Sequence, residues 1–109
     1  MKIFSIDIEE ETLVNKKYKK KVYLDGNMKV TLMSLKPGEK IPLEIHKHTT
    51  QFIRIEYGYG TLESGTTKVQ LSDGIVAVIP EGTKHVVYNR GNDYLKLYSV
   101  YAGGNVENP

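Results

Sequence analysis

Cysteine is absent from this chain of 109 residues, so neither disulfides nor thiolate metal sites are available to it. Any metal site must therefore use histidine, carboxylate or amide side chains. The absence of disulfides fits a reducing compartment. An acid, Asp7, also stands where a secretory signal would continue its apolar core. We therefore expect a cytoplasmic protein.

Long apolar runs and a strong excess of one charge are missing as well. No stretch approaches the roughly 20 apolar residues that a membrane-spanning helix needs, and the net charge is only +2. Five lysines between Lys16 and Lys21 form a local basic run, which is typical of a solvated strand edge or loop. The composition therefore predicts neither a membrane nor a nucleic-acid partner.

The sequence predicts little helix, because apolar and polar residues alternate in short stretches separated by Gly, Pro, Asn and Asp. This pattern is typical of an all-β sandwich or barrel. The length favours one domain, with N-terminal strands and a turn over 1–27, a barrel core over 28–102 and a flexible tail over 103–109. We predict a turn or a single helical turn over 8–14 and about nine strands: 2–8, 21–24, 28–35, 43–48, 52–57, 67–71, 75–79, 85–89 and 94–101.

Two histidines, His46 and His48, stand two positions apart in the predicted strand 43–48. Side chains at this spacing share one face of a strand, so both imidazoles would address one ion. Glu44 has the same parity and is a candidate general base, although a carboxylate at the barrel rim is the plainer interpretation. The pair alone is weak evidence, because histidine alternates with lysine on many solvent faces.

A second motif follows downstream, where Gly74, Pro80, Gly82, His85 and Asn89 are separated by five, one, two and three residues. Given the average usage of glycine and proline, a chance match of all five positions is rarer than about one in a million per starting point. This spacing resembles the second conserved motif of the cupins at every fixed position.

The first cupin motif is matched less closely, by Gly38, His46, His48 and Gly58. Seven residues rather than five separate Gly38 from His46. Gln51 stands where the family usually has a ligating Glu. The chain nevertheless resembles the small single-domain cupins that are similar to the metal domain of mannose-6-phosphate isomerase.

This resemblance, which covers about residues 37–101, implies a jelly-roll β-barrel of two sheets. It implies that His46, His48, His85 and Gln51 converge on one divalent ion, which could be Zn, Ni, Fe, Mn or Cu. It also implies a small-molecule ligand inside the barrel. A homodimer is expected, because small cupins usually pair and the tyrosine-rich strands offer exposed apolar surface.

Strand periodicity predicts which side chains face the interior. If Gln51 points inward, Phe52 and Arg54 point outward. The same parity places the following residues inside: Ile53, Ile55, His85, Val87, Asn89, Leu95, Leu97, Ser99 and Tyr101.

A neutral amide at Gln51 leaves more positive charge on a metal site than a carboxylate would. Such a site attracts anions and favours Lewis-acid chemistry over redox cycling. The leading hypothesis is therefore a metal-dependent isomerase or lyase that acts on a sugar or keto acid. The alternatives are a non-catalytic module that binds a small molecule or metal, and a cupin dioxygenase.

Overall fold

The computed structural model describes residues 2–109 and contains one helix and nine strands in that range. The helix α1 spans Ile8–Val14. The strands are β1 (Lys19–Leu24), β2 (Met28–Leu35), β3 (Lys40–Glu44), β4 (Thr49–Tyr57), β5 (Gly60–Ser64), β6 (Thr67–Leu71), β7 (Val76–Ile79), β8 (His85–Asn89) and β9 (Leu95–Gly103). The predicted all-β fold is confirmed, and the bounds of β2, β6 and β8 agree with the prediction to the residue.

Two antiparallel sheets face each other. One has the strand order β1-β2-β9-β4-β7 and the other the order β3-β8-β5-β6. The sheets form the predicted jelly roll but do not close into a continuous barrel, since no pairing joins a strand of one sheet to a strand of the other within residues 2–109. The interior therefore lies between two layers rather than inside a cylinder.

The core is built by side chains that alternate along each strand. On β4, Gln51, Ile53 and Ile55 are buried, whereas Phe52 and Arg54 are partly exposed. The same alternation holds along β8 and β9, so the predicted inward faces are confirmed. The apolar cluster consists of Met33, Leu35, Ile41, Ile53, Ile55, Leu62, Leu71, Ile79, Val87, Leu95 and Leu97.

The predicted strand over 2–8 is wrong. Residues 2–7 pair with no strand, and β1 ends that sheet instead. Asp7 caps α1, because its carboxylate accepts a hydrogen bond from the Glu10 backbone N–H at 3.1 Å, and glutamates in the first turn suit the positive end of the helix. The helix has seven residues and is thus longer than the single turn expected.

Strand β5 was not predicted, because Gly60–Ser64 contains a single aliphatic residue, Leu62, between turn-forming residues. Gly60 is required here by close packing: a Cβ at this position would collide with the Tyr88 carbonyl oxygen of neighbouring β8. The glycine that suggested a turn therefore belongs to a central strand, where another backbone approaches closely.

The segment predicted to be a flexible tail packs against the body of the domain. Val106 is only 2% exposed, and the Pro109 carbonyl accepts a hydrogen bond from the His48 N–H at 2.9 Å. No helix in residues 2–109 has the length and apolar character needed to cross a membrane.

Candidate metal centre

His46 lies in a loop, because β3 ends at Glu44. The prediction of a strand over 43–48 is therefore wrong. The pairing of β3 with β8 is irregular between Ile41 and Glu44 and ends at the pair formed by Glu44 and His85. The His46 carbonyl instead accepts a hydrogen bond from the Gly82 N–H at 2.8 Å, which ties the loop to the turn that precedes β8.

His85 is positioned by that same turn. Gly82 adopts a φ of 76°, a left-handed conformation that glycine adopts at little cost, and β8 begins at His85. His85 Nδ1 lies 2.9 Å from the Thr83 carbonyl oxygen. Since a carbonyl only accepts, Nδ1 carries the proton, and the neutral ring keeps the lone pair of Nε2 free to bind a metal.

Three potential ligand atoms converge in this region. Glu44 Oε1 lies 3.5 Å from His46 Nε2 and 3.9 Å from His85 Nε2, and all three ligand atoms lie within 4.8 Å of one another. Tetrahedral coordination with bonds of about 2.0 Å separates neighbouring ligands by about 3.3 Å. A small decrease in the distances between the three ligand atoms would thus let all three residues bind one ion.

The polar atoms of this group are otherwise unsatisfied. His46 Nε2 and His85 Nε2 are both buried and lack a hydrogen-bond partner, although buried polar atoms usually have one. The nearby side chain of His46, and to a smaller extent that of His85, lowers the pKa of Glu44 despite its partial burial. Burial lowers the pKa of His85. Carboxylate and neutral imidazole are the forms that bind metal, so these residues fit a divalent ion.

Gln51 lies beside this group. Its side chain is buried, and Nε2 donates hydrogen bonds to Ser99 Oγ at 3.0 Å and to the Tyr101 hydroxyl at 3.2 Å. The Tyr101 ring in turn contacts the His46 ring, with 5.1 Å between centroids. Gln51 Oε1 is buried without a partner, so it is the acceptor that remains available, and its ligation stays a prediction.

His48 is exposed and lies outside the group formed by Glu44, His46 and His85. Its backbone is fixed on both sides, because its N–H donates to Pro109 and its carbonyl accepts from the Gly104 N–H at 3.3 Å. The argument that His46 and His48 share a strand face does not hold in a loop. Ligation by the His48 side chain stays a prediction from the motif.

A cavity of about 400 Å³ opens at the candidate metal centre beside Glu44 and His46. It is lined by charged, imidazole and aromatic side chains that include Lys19, Lys29, Lys47, Glu44, Glu107, His46, His48 and Tyr101. Sequence reasoning missed Lys29 as a residue of the site. Lys29 is an even number of positions from Met33 and Leu35, which face the core from the same strand, β2. This spacing could have predicted that Lys29 also faces inward.

The chain matches the Cupin domain family model over residues 31–101. An uncharacterized protein of Acanthamoeba polyphaga mimivirus is 41% identical over 104 residues, covering 92% of this chain and 65% of that protein. The uncharacterized protein YrkC of Bacillus subtilis is 42% identical over 110 residues, covering 95% of this chain and 59% of YrkC. The chain thus spans about three-fifths of the length of these relatives.

A solved crystal structure of a Bacillus halodurans protein is similar throughout. It superimposes with a TM-score of 0.90 at 40% identity, and the match covers 94% of this chain and 82% of that one. This match covers more of the chain than the family model does.

Proposed function

Because this chain belongs to the cupin family, we propose that it binds one divalent metal ion through His46, His85 and Glu44. We further propose that it uses the ion as a Lewis acid on a small oxygen-rich ligand. The observation that carries the proposal is the convergence of two unsatisfied buried imidazole nitrogens on one carboxylate oxygen. A carboxylate between two imidazoles is a ligand set that suits first-row divalent metals.

Glu44 supplies the charge that the usual cupin glutamate would bring from position 51. Its carboxylate reaches the site from the end of β3, whereas Gln51 lies on β4 in the opposite sheet. One carboxylate lowers the net charge of a divalent site by one wherever it stands in the chain. We assign Glu44 to the metal rather than to proton transfer, since Oε1 is near both imidazole nitrogens.

Gln51 then has a bracing role. Its amide nitrogen fixes the Tyr101 hydroxyl, and the Tyr101 ring packs against His46. Residues that orient a ligating side chain contribute to metal affinity without touching the ion.

The proposed reaction is an isomerisation or elimination that begins with transfer of a proton from the carbon beside a carbonyl to a basic side chain of the cavity lining, His48 or Glu107. A divalent ion here would polarise the ligand's carbonyl or hydroxyl oxygen and make the neighbouring C–H more acidic. The protein holds the ligand in the cavity next to His46. Sugars and keto acids carry both the oxygen donor and the acidic C–H, which is why we propose these classes, in line with the resemblance to mannose-6-phosphate isomerase.

Metal binding is tested first, by titrating the metal-free protein with Zn, Ni, Mn and Fe ions in a calorimeter. We expect one ion per chain in the wild type and none in His46→Ala. Glu44→Gln should bind at least about tenfold more weakly, since a neutral amide replaces a charged ligand. Full metal affinity in Glu44→Gln would instead leave Glu44 as a base or a rim carboxylate.

Catalysis is tested separately, by following deuterium exchange from D2O into a ketose or a 2-oxo acid by NMR. We expect exchange at the carbon beside the carbonyl with the metal-loaded wild type and none with His46→Ala. Stoichiometric metal with no exchange for either substrate class would favour the alternative of a non-catalytic binding module.

We also propose that two copies of the chain pair. Support comes from the outer face of the edge strand β7, where Val76 and Val78 are 41% and 58% exposed. Light scattering should give twice the monomer mass for the wild type and the monomer mass for Val76→Lys with Val78→Lys. A wild type that remains monomeric at high concentration would overturn the pairing.

A further inference from the structure

Lys29 points into the interior of the fold, which is an unusual place for a lysine. It lies on β2 with the inward parity of Met33 and Leu35 and is directly paired with Tyr101 on β9. The residue is only 9% exposed. Burial is the main cause that lowers the pKa of Lys29, and the nearby Lys19 and Lys21 lower it further. The ammonium reaches the cavity beside His46, where solvent or a bound anion can contact it.

Glu44 and Glu107 partly offset the lowered pKa of Lys29 through their charge, but neither forms an ion pair with it. The ammonium nitrogen lies 4.8 Å from the centroid of the Tyr101 ring, which stabilises a cation but accepts no conventional hydrogen bond. Lys29 takes part in none of the four ion pairs found within residues 2–109. An ammonium carries three donors, and none of the side-chain hydrogen bonds described for this part of the chain uses them.

The position of this unpaired charge relates it to the metal centre. Lys29 and His46 line the same cavity, and the ring of Tyr101 contacts both of them. Only one aromatic ring therefore separates the ammonium from a proposed metal ligand. Lys19 and Lys47 add two further positive charges to the lining, against the carboxylates Glu44 and Glu107.

We propose that Lys29 binds the anionic end of the ligand, a carboxylate or phosphate group, while an oxygen at the other end of the ligand reaches the metal centre. This inference rests on the proposed function for the metal end only. It narrows the substrate class from oxygen-rich molecules in general to those with a negative group several bonds from the metal-binding oxygen. Sugar phosphates and 2-oxo dicarboxylates both have this form.

The test compares three probes on the metal-loaded protein by calorimetry: fructose 6-phosphate, 2-oxoglutarate and neutral fructose. In the wild type, at least one anion should bind about tenfold more tightly than fructose. Lys29→Met keeps the length and apolar stem of the side chain but removes the charge. The variant should bind the anion at least about tenfold more weakly, as expected for the loss of a charged hydrogen bond. Its affinity for fructose should stay within about threefold of the wild-type value.

Two matched variants control for general charge effects. Lys29→Arg keeps the cation and should retain most of the affinity. Lys68→Met makes the same change on the exposed face of β6, in the other sheet, and should bind like the wild type. The anion that depends on Lys29 identifies which of the two ligand groups the site accepts.

The outcomes separate this inference from the metal proposal. Anion binding that is unchanged in Lys29→Met, or equally weakened in Lys68→Met, overturns the role of Lys29 even if one metal binds per chain. If no metal binds, the same anions are titrated into the metal-free protein and followed by NMR. Shifts at Tyr101 that disappear in Lys29→Met would then support the anion site alone, and their absence in the wild type would overturn it.

Discussion

The two ends of the interior differ sharply, although the same strands build both. At one end, inward positions hold polar or charged side chains: Lys29 and Thr31 on β2, Gln51 on β4, His85 on β8, and Ser99 and Tyr101 on β9. At the other end, β2, β4 and β9 point Met33, Leu35, Ile53, Ile55, Leu95 and Leu97 inward. These three strands thus each contribute to a polar end and to an apolar end.

This division indicates that stability and function are separated along the strands rather than between the sheets. The apolar end buries surface that stabilises the fold by about 25 cal/mol per Å². The polar end also buries atoms without a hydrogen-bond partner, such as Gln51 Oε1 and His85 Nε2, which are unfavourable there unless a ligand satisfies them. Substitutions at the apolar end should therefore lower the free energy of unfolding, whereas substitutions at the polar end should lower the affinity for metal or ligand.

Leu97→Ala should have the largest effect on stability. Leu97 is fully buried in the apolar cluster, and truncating such a leucine costs about 2–5 kcal/mol through lost burial and the cavity left behind. Urea unfolding should show this loss, while metal stoichiometry below the transition stays at the wild-type value. Val100→Ala, on the outer face of the same strand, is the control and should cost much less. Loss of metal in folded Leu97→Ala would show that the two ends are coupled.

His85→Ala should have the opposite effect: a large loss of metal affinity with little change in stability. Removing a ligating imidazole should weaken metal binding by at least about 100-fold, more than the loss of a residue that only orients a ligand. The midpoint of urea unfolding of the metal-free protein should change little, because His85 makes one hydrogen bond from its side chain, to Thr83. Calorimetry with the best-bound metal measures the first effect. Unchanged metal affinity would remove His85 from the site.

Tyr101 provides a pH test of the polar end. Burial, followed by the nearby charge of Glu44, raises the pKa of Tyr101 from 10.0 to about 12. The folded state therefore holds this proton more tightly than the unfolded state. Its contribution to stability is complete below pH 10 and is lost as the pH rises towards 12, about 2–3 kcal/mol in all.

Absorbance at the tyrosinate band of the metal-free protein should follow this titration. One tyrosine should ionise later than the others in the wild type, and the late step should be missing in Tyr101→Phe. Stability of Tyr101→Phe should also fall less steeply above pH 10. A late step that persists in the variant would assign it to another tyrosine.

Gln51→Glu should strengthen metal binding by about tenfold. The carboxylate adds negative charge near the ion, in the position where the cupin motif usually has it. The substitution removes the amide N–H groups that donate to the Ser99 and Tyr101 hydroxyls. Both hydroxyls can instead donate to the new carboxylate. Competition between the protein and a chelator of known affinity measures the change. Unchanged affinity would place residue 51 too far from the ion to influence it.

His48→Ala should have the smallest effect, less than about threefold on metal affinity. Its side chain is exposed, and its backbone stays anchored to Pro109 and Gly104 whatever the side chain is. The comparison with His46→Ala, two positions away, is the matched control. A loss as complete as in His46→Ala would establish His48 as a ligand, as the sequence motif predicts, and would mean that the loop rearranges when metal binds.

The sequence by itself determined the fold class, the family and the inward faces of the strands. These follow from local patterns: period-2 alternation on β4, β8 and β9, and the fixed spacing from Gly74 to Asn89 that shapes one turn around His85. Strand β5 escaped prediction because Gly60 is required by the packing of β8 against it, which no local pattern reveals.

Only the tertiary structure decided which polar residues meet. His46 faces His85 because a hydrogen bond to Gly82 holds its loop against a turn more than thirty residues away in the chain. Glu44 joins them from the end of β3, and Lys29 enters through the pairing of β2 with β9. Ligand geometry depends on such long-range contacts, because spacing in the sequence specifies side-chain direction only while the backbone remains a regular strand.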